Sequence, residues 1–145
     1  MYTTNRIDFT ESKLILPPPA TLGKYLKDRS EIETNFDFLN CRITSNGLIC
    51  EGVFSLPETS NDYEVRIIYS HPKYPEVFVI NPKIEYKPEL HMYRNSSLCL
   101  YYPKDNSFTS KSTLYDTIIP WTSEWLIFYE LYKRWGKWLG KYKTH

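Results

Sequence analysis

The chain has 145 residues, 41% of them apolar, and a formal net charge of +1. That is enough to close one domain core, and it excludes a disordered polyelectrolyte. With Lys and Arg numbering 18 against 17 Asp and Glu, no global charge draws the chain to nucleic acid or an anionic membrane, and neither is expected as a partner. The first fourteen residues carry Arg6, Asp8, Glu11 and Lys13, which breaks a signal-peptide reading, and no segment reaches the ~20 apolar residues of a membrane span. Three cysteines cannot pair completely within one chain. These observations together read as a cytoplasmic protein of one domain, residues 1–145, in which Cys41, Cys50 and Cys99 stay thiols.

In chain order, Pro17-Pro18-Pro19 bars a continuous helix through that point, and Ala20 to Leu26 opens a short one after it. Four β-type runs follow at 39–43, 48–56, 62–69 and 77–80. Asn46-Gly47 between the first two is the dipeptide favoured in two-residue hairpins, and a longer loop at 57–61 separates the second from the third. Successive strands on short connections predict an antiparallel meander. Pro72, Pro75, Pro82 and Pro88 around the fourth run confine it to a sheet edge. Residues 89–113 show neither helical nor strand period and read as an ordered irregular loop carrying Cys99 between Leu98 and Leu100.

The last part changes character. Pro120 precedes Thr122 and Ser123, either able to cap a helix, with Glu124 in the first turn and Gly136 as a C-terminal stop, so a helix over 123–135 is predicted. Trp121, Trp125, Phe128, Tyr132, Trp135 and Leu139 recur at spacings of four and three, one apolar stripe that accounts for the tryptophans as core. Lys133, Arg134, Lys137, Lys141 and Lys143 then read as a solvated basic face. The fold class is α+β: a four-stranded antiparallel meander, an irregular loop with a cysteine, and an aromatic C-terminal helix.

Cys41, Cys50 and His71 match no recognised zinc spacing, and a chain with five glycines has no Gly-rich phosphate loop. No metal and no cofactor are therefore expected. Cys99 has two readings, a small buried hydrophobe or a nucleophile. The order of its surroundings resembles the ubiquitin-conjugating enzyme (UBC) family: a four-strand meander, the Tyr74-Pro75 turn, His91, and Cys99 eight residues on. The resemblance covers roughly residues 35–140. More narrowly, Leu98-Cys99-Leu100-Tyr101-Tyr102-Pro103, then Ile118-Ile119-Pro120-Trp121 and the Glu124-Trp125-Leu126 helix start, are similar to the bacterial branch found in cyclic-oligonucleotide antiphage signalling (CBASS) operons. There the protein accompanies a cGAS-like nucleotidyltransferase.

The resemblance implies a UBC-like fold in which Cys99 carries a protein C-terminus as a thioester and passes it to an amine or to water. The implied partner is the nucleotidyltransferase, whose activity the modification raises. A chain of this length accommodates the carrier domain, so activation of the carboxylate falls to another agent. His91 is implied to hold the cysteine loop by hydrogen bonds. The family's asparagine, the oxyanion donor two residues after that histidine, is replaced here by Tyr93. Loss of such a donor costs ~100- to 1000-fold in other acyl-transfer enzymes. Three responses stay open: the Tyr93 hydroxyl substitutes, Asn95 or Asn106 reaches in, or the protein forms the thioester with little aminolysis. Tyr101 belongs to the cysteine signature, and Asp105 and Asp116 are candidates for orienting an amine. The alternative is a catalytically silent UBC-fold binding module.

Overall fold

A computed structural model describes residues 16–57, 59 and 61–140. The expectations drawn from residues 1–15 and from Lys141 and Lys143 lie outside the described residues. Helix α1 spans Pro19–Asn35. Its first residue is a proline because the first-turn amides have no partner within a helix. The proline run therefore marks the start of a 17-residue helix rather than the short one expected.

Strands β1 (Leu39–Thr44), β2 (Gly47–Leu56), β3 (Asn61–Tyr69) and β4 (Glu76–Asn81) form one sheet in the order β1-β2-β3-β4, each antiparallel to its neighbour. This is the expected meander. Its register aligns Cys41, Cys50, Ile67 and Val77 in one row, all buried. On the other face Glu51 lies between Arg42 and Arg66, 2.6 Å from each. Those two guanidiniums hold its carboxyl below the usual range, the Arg42 hydrogen bond contributing most.

The first turn differs from the expectation in one position. Ser45 and Asn46 form it, so Thr44 pairs with Gly47. Gly47 has φ +111°, and a Cβ there would lie 2.2 Å from the Tyr69 carbonyl oxygen, which leaves room only for glycine. A turn centred on Asn46-Gly47 would have offset the two cysteines. The observed register places Cys41 opposite Cys50 with Cα atoms 4.1 Å apart, and they are joined as a disulfide. The expectation of three thiols is corrected on this point, and Cys99 is the free cysteine.

Helix α2 spans Ile118–Trp135, starting five residues before the predicted boundary. Thr117 occupies the cap position, and Pro120 falls in the first turn, where its missing amide costs nothing. Thr122, expected as a cap, is instead buried inside the helix with its hydroxyl donating to the Ile118 carbonyl at 2.7 Å. Gly136, with φ +71°, ends the helix as expected, its amide donating to the Tyr132 carbonyl at 2.7 Å.

Both helices cover the same face of the sheet. On β3, Tyr63 and Tyr69 point to one side; the Tyr69 ring meets Tyr25 of α1 at 5.9 Å and the Tyr63 ring meets Tyr129 of α2 at 6.1 Å. The aromatic stripe closes the core only through its first turns. Trp125 is buried, but Trp135 and Leu139 are 59% and 50% exposed. Trp135, on the last turn of α2, lies past the end of the opposing surface, and Leu139 follows the chain reversal at Gly136.

Candidate active site around Cys99

The segment 91–99 folds back on itself. The Ser96 amide donates to the Tyr93 carbonyl and the Tyr93 amide to the Ser97 carbonyl, each at 2.9 Å. Met92 pairs with Leu98, and the Cys99 amide donates to the His91 carbonyl at 2.9 Å. The eight-residue interval from histidine to cysteine is thus the register of a small hairpin, whose turn is fastened by Asn95. The Asn95 side-chain oxygen Oδ1 accepts from the Ser97 amide at 3.0 Å and from the Ser97 hydroxyl at 2.6 Å, while its side-chain Nδ2 donates to Glu76 at 2.8 Å. His91 and Ser96 take left-handed conformations, with φ 53° and 73°.

Two neighbours hold this hairpin in place. The Leu98 amide donates to the Val77 carbonyl on β4 at 2.8 Å. From α2, the Trp125 indole N–H is shared between the carbonyls of Leu90 and His91, 3.1 Å from each. Part of the edge strand's hydrogen-bonding capacity is therefore used to seat the cysteine loop.

Cys99 is 7% exposed, its sulfur 4.0 Å from the Tyr101 carbonyl oxygen. Burial pushes the thiol up to about 11, against an opposing hydrogen bond from the Tyr93 hydroxyl that favours the thiolate. Burial, together with the nearby Cys99, raises Tyr93 as well, so its hydroxyl keeps its proton and remains a donor at neutral pH. The resting site therefore holds a protonated thiol beside a hydroxyl that can stabilise negative charge on or next to the sulfur.

A cleft of about 290 Å³ opens beside Cys99, walled by Tyr101, Trp121, Trp125, Phe128 and Trp138, with Asp105 and Glu124 on its lining. Three of the four tryptophans line it, which corrects the reading of them as core alone. Trp138 lies beyond the helix yet stacks on His91 at 5.4 Å with a 21° interplanar angle.

Of the residues singled out in the sequence, Cys99, His91, Tyr93 and Tyr101 come together. Asn95 is committed to the turn and Glu76. Asn106 lines a separate cavity with Tyr69, His71 and Phe108. Asp105 reaches the cleft, its carboxylate accepting from the Ser107 amide at 3.1 Å, whereas Asp116 accepts from the Thr113 hydroxyl and is not on the lining. Trp138, Phe128 and Glu124 were not expected at the site. The available signal was the pair Gly136 and Gly140 around Trp138, residues that let a chain reverse and pack closely.

Among the described residues no group of three or more His, Cys, Asp or Glu side chains is arranged to hold a metal ion, and no helix is long and apolar enough to cross a membrane. A search of curated proteins finds no match. A family model described as the Type II CBASS E2 protein matches residues 28–145, most of the chain, so this chain belongs to the Type II CBASS E2 protein family.

Proposed function

We propose that this chain is a UBC-fold acyl carrier of an antiphage system, with Cys99 as the nucleophile and the C-terminus of a cGAS-like nucleotidyltransferase as its cargo. The observation that supports the reading is Cys99 lining an aromatic cleft with the Tyr93 hydroxyl hydrogen-bonded to its sulfur, Tyr93 standing at the sequence position of the family's asparagine. The acyl group arrives activated, as a thioester or an acyl adenylate. Cys99 gives its proton to solvent, its sulfur bonds to the carbonyl carbon, and the activating group leaves with the bonding electron pair. A neutral amine then attacks the same carbon, the Cys99 thiolate leaves, and the amine loses a proton to solvent.

Family membership supports the setting in antiphage defence. His91 serves as a backbone anchor in this reading, since its carbonyl holds the Cys99 amide. Tyr101 contributes its carbonyl oxygen and a wall of the cleft. Asn95 fastens the hairpin turn and Asn106 has no direct part.

The burial of Cys99 and its raised proton affinity favour a second reading, a silent binding module of the same fold. Co-expression with the nucleotidyltransferase in the native host, where the agent that activates its C-terminus is present, separates the two. The carrier reading expects a thiol-sensitive adduct with wild type, a thiol-resistant oxyester with Cys99→Ser, and none with Cys99→Ala. Binding without any adduct in wild type or Cys99→Ser overturns it.

A further inference from the structure

We infer that Trp138 is a positioning residue for Cys99: the segment after α2 straps back over the cysteine hairpin, and this indole both holds His91 and narrows the cleft leading to the sulfur. The strap begins at Gly136, whose left-handed backbone turns residues 137–140 away from the helix axis. Lys137 and Leu139 are exposed, so the segment is anchored through Trp138 and Gly140. Besides its stack on His91, the Trp138 ring packs on Trp125 at 5.4 Å and on Phe128 at 5.9 Å. Gly140 sits so close to Phe128 that an added Cβ would lie 2.8 Å from that ring.

This arrangement joins the strap to the sulfur in two steps. The indole fixes the His91 ring, and the His91 carbonyl holds the Cys99 amide at 2.9 Å. Of the aromatic wall, Trp121, Trp125 and Phe128 are carried by α2, whereas Trp138 stands on the strap itself. Its contacts are ring pairs worth about 0.5–1.5 kcal/mol each beyond buried area. They are strong enough to keep the strap seated and weak enough for it to lift. The seated strap admits slender groups to Cys99 and delays wide ones.

The inference rests on Cys99 as the reacting group. Its test is alkylation, which reads access to the sulfur whether or not an acyl adduct ever forms, so the two proposals fail separately. The full-length protein is treated without reductant, leaving Cys99 as the free thiol, with iodoacetamide as the slender reagent and pyrene maleimide as the wide one. Trp138→Ala is expected to raise the ratio of pyrene maleimide to iodoacetamide rates about tenfold, the factor that losing all three ring pairs produces at the lower end of their range. Trp138→Phe restores most of the wild-type ratio. Gly140→Val displaces the strap without touching the indole and moves the ratio the same way; it carries the test if Trp138→Ala does not fold. An unchanged ratio overturns the inference, and so does an equal acceleration of both reagents, which marks general loosening.

Discussion

The carbonyl of His91 accepts the Cys99 amide at 2.9 Å and, from the other side, the Trp125 indole at 3.1 Å. One backbone oxygen therefore ties the cysteine strand to helix α2. Trp125→Phe keeps much of the ring but removes the indole N–H shared by the Leu90 and His91 carbonyls, leaving the Leu90 carbonyl without it. The expected cost is about 1–3 kcal/mol, that of an unsatisfied buried acceptor. Denaturant midpoints measure it, and amide exchange at 91–99 accelerates with it.

Reactivity of Cys99 is set by burial against the Tyr93 hydroxyl. Because the thiol is pushed up to about 11, its alkylation by iodoacetamide climbs steadily between pH 7 and 10 with no plateau. Tyr93→Phe removes the bond that favours the thiolate and lowers the rate at pH 8 by about two- to tenfold, the range of one net hydrogen bond. A faster variant, or a plateau below pH 9, contradicts this account of the site.

On α1, Asp28 is 2% exposed, one carboxylate oxygen accepting from the Leu114 amide at 3.4 Å and the other without a hydrogen-bond partner among the described residues. Burial raises its pKa to about 6. A folded-state value above that of the unfolded chain means that ionisation costs the fold. The associated stability is complete below about pH 4 and is lost as pH rises through 6. Asp28→Asn should therefore stabilise the protein at pH 7.5 by up to about 2–3 kcal/mol and leave it unchanged near pH 3. Thermal melts at the two pH values measure the difference.

The Cys41–Cys50 bond closes a short loop across β1 and β2. Thiol titration of the protein unfolded without reductant should find one group, and three after reduction. Replacing both cysteines with alanine should cost about 2–3 kcal/mol by denaturant unfolding. Three titratable thiols without reductant exclude the bond.

The strand meander was legible in the sequence because alternation of buried and exposed residues is a local property, as in β3, where Tyr63, Val65, Ile67 and Tyr69 all face the core. Cys99 and His91 were legible as a pair through their spacing. The reason for that spacing was not, since a two-sided hairpin without apolar alternation leaves no period. Asn95, chosen for its side-chain amide, is spent on the turn that makes the spacing possible.

By itself, the sequence determined the four strands, the glycine stop of α2 at Gly136 and the single cysteine loop, all consequences of residue types acting over a few neighbours. Tertiary structure alone decided three matters. A turn placed one residue earlier set Cys41 against Cys50, because register follows the turn and not the interval between cysteines. Trp135 and Leu139 were left in solvent because helical periodicity says which side chains share a face, not where the opposing surface ends. Trp138 was brought to His91 because a chain reversal joins residues 47 apart, a contact paid for by ring packing that no local pattern encodes.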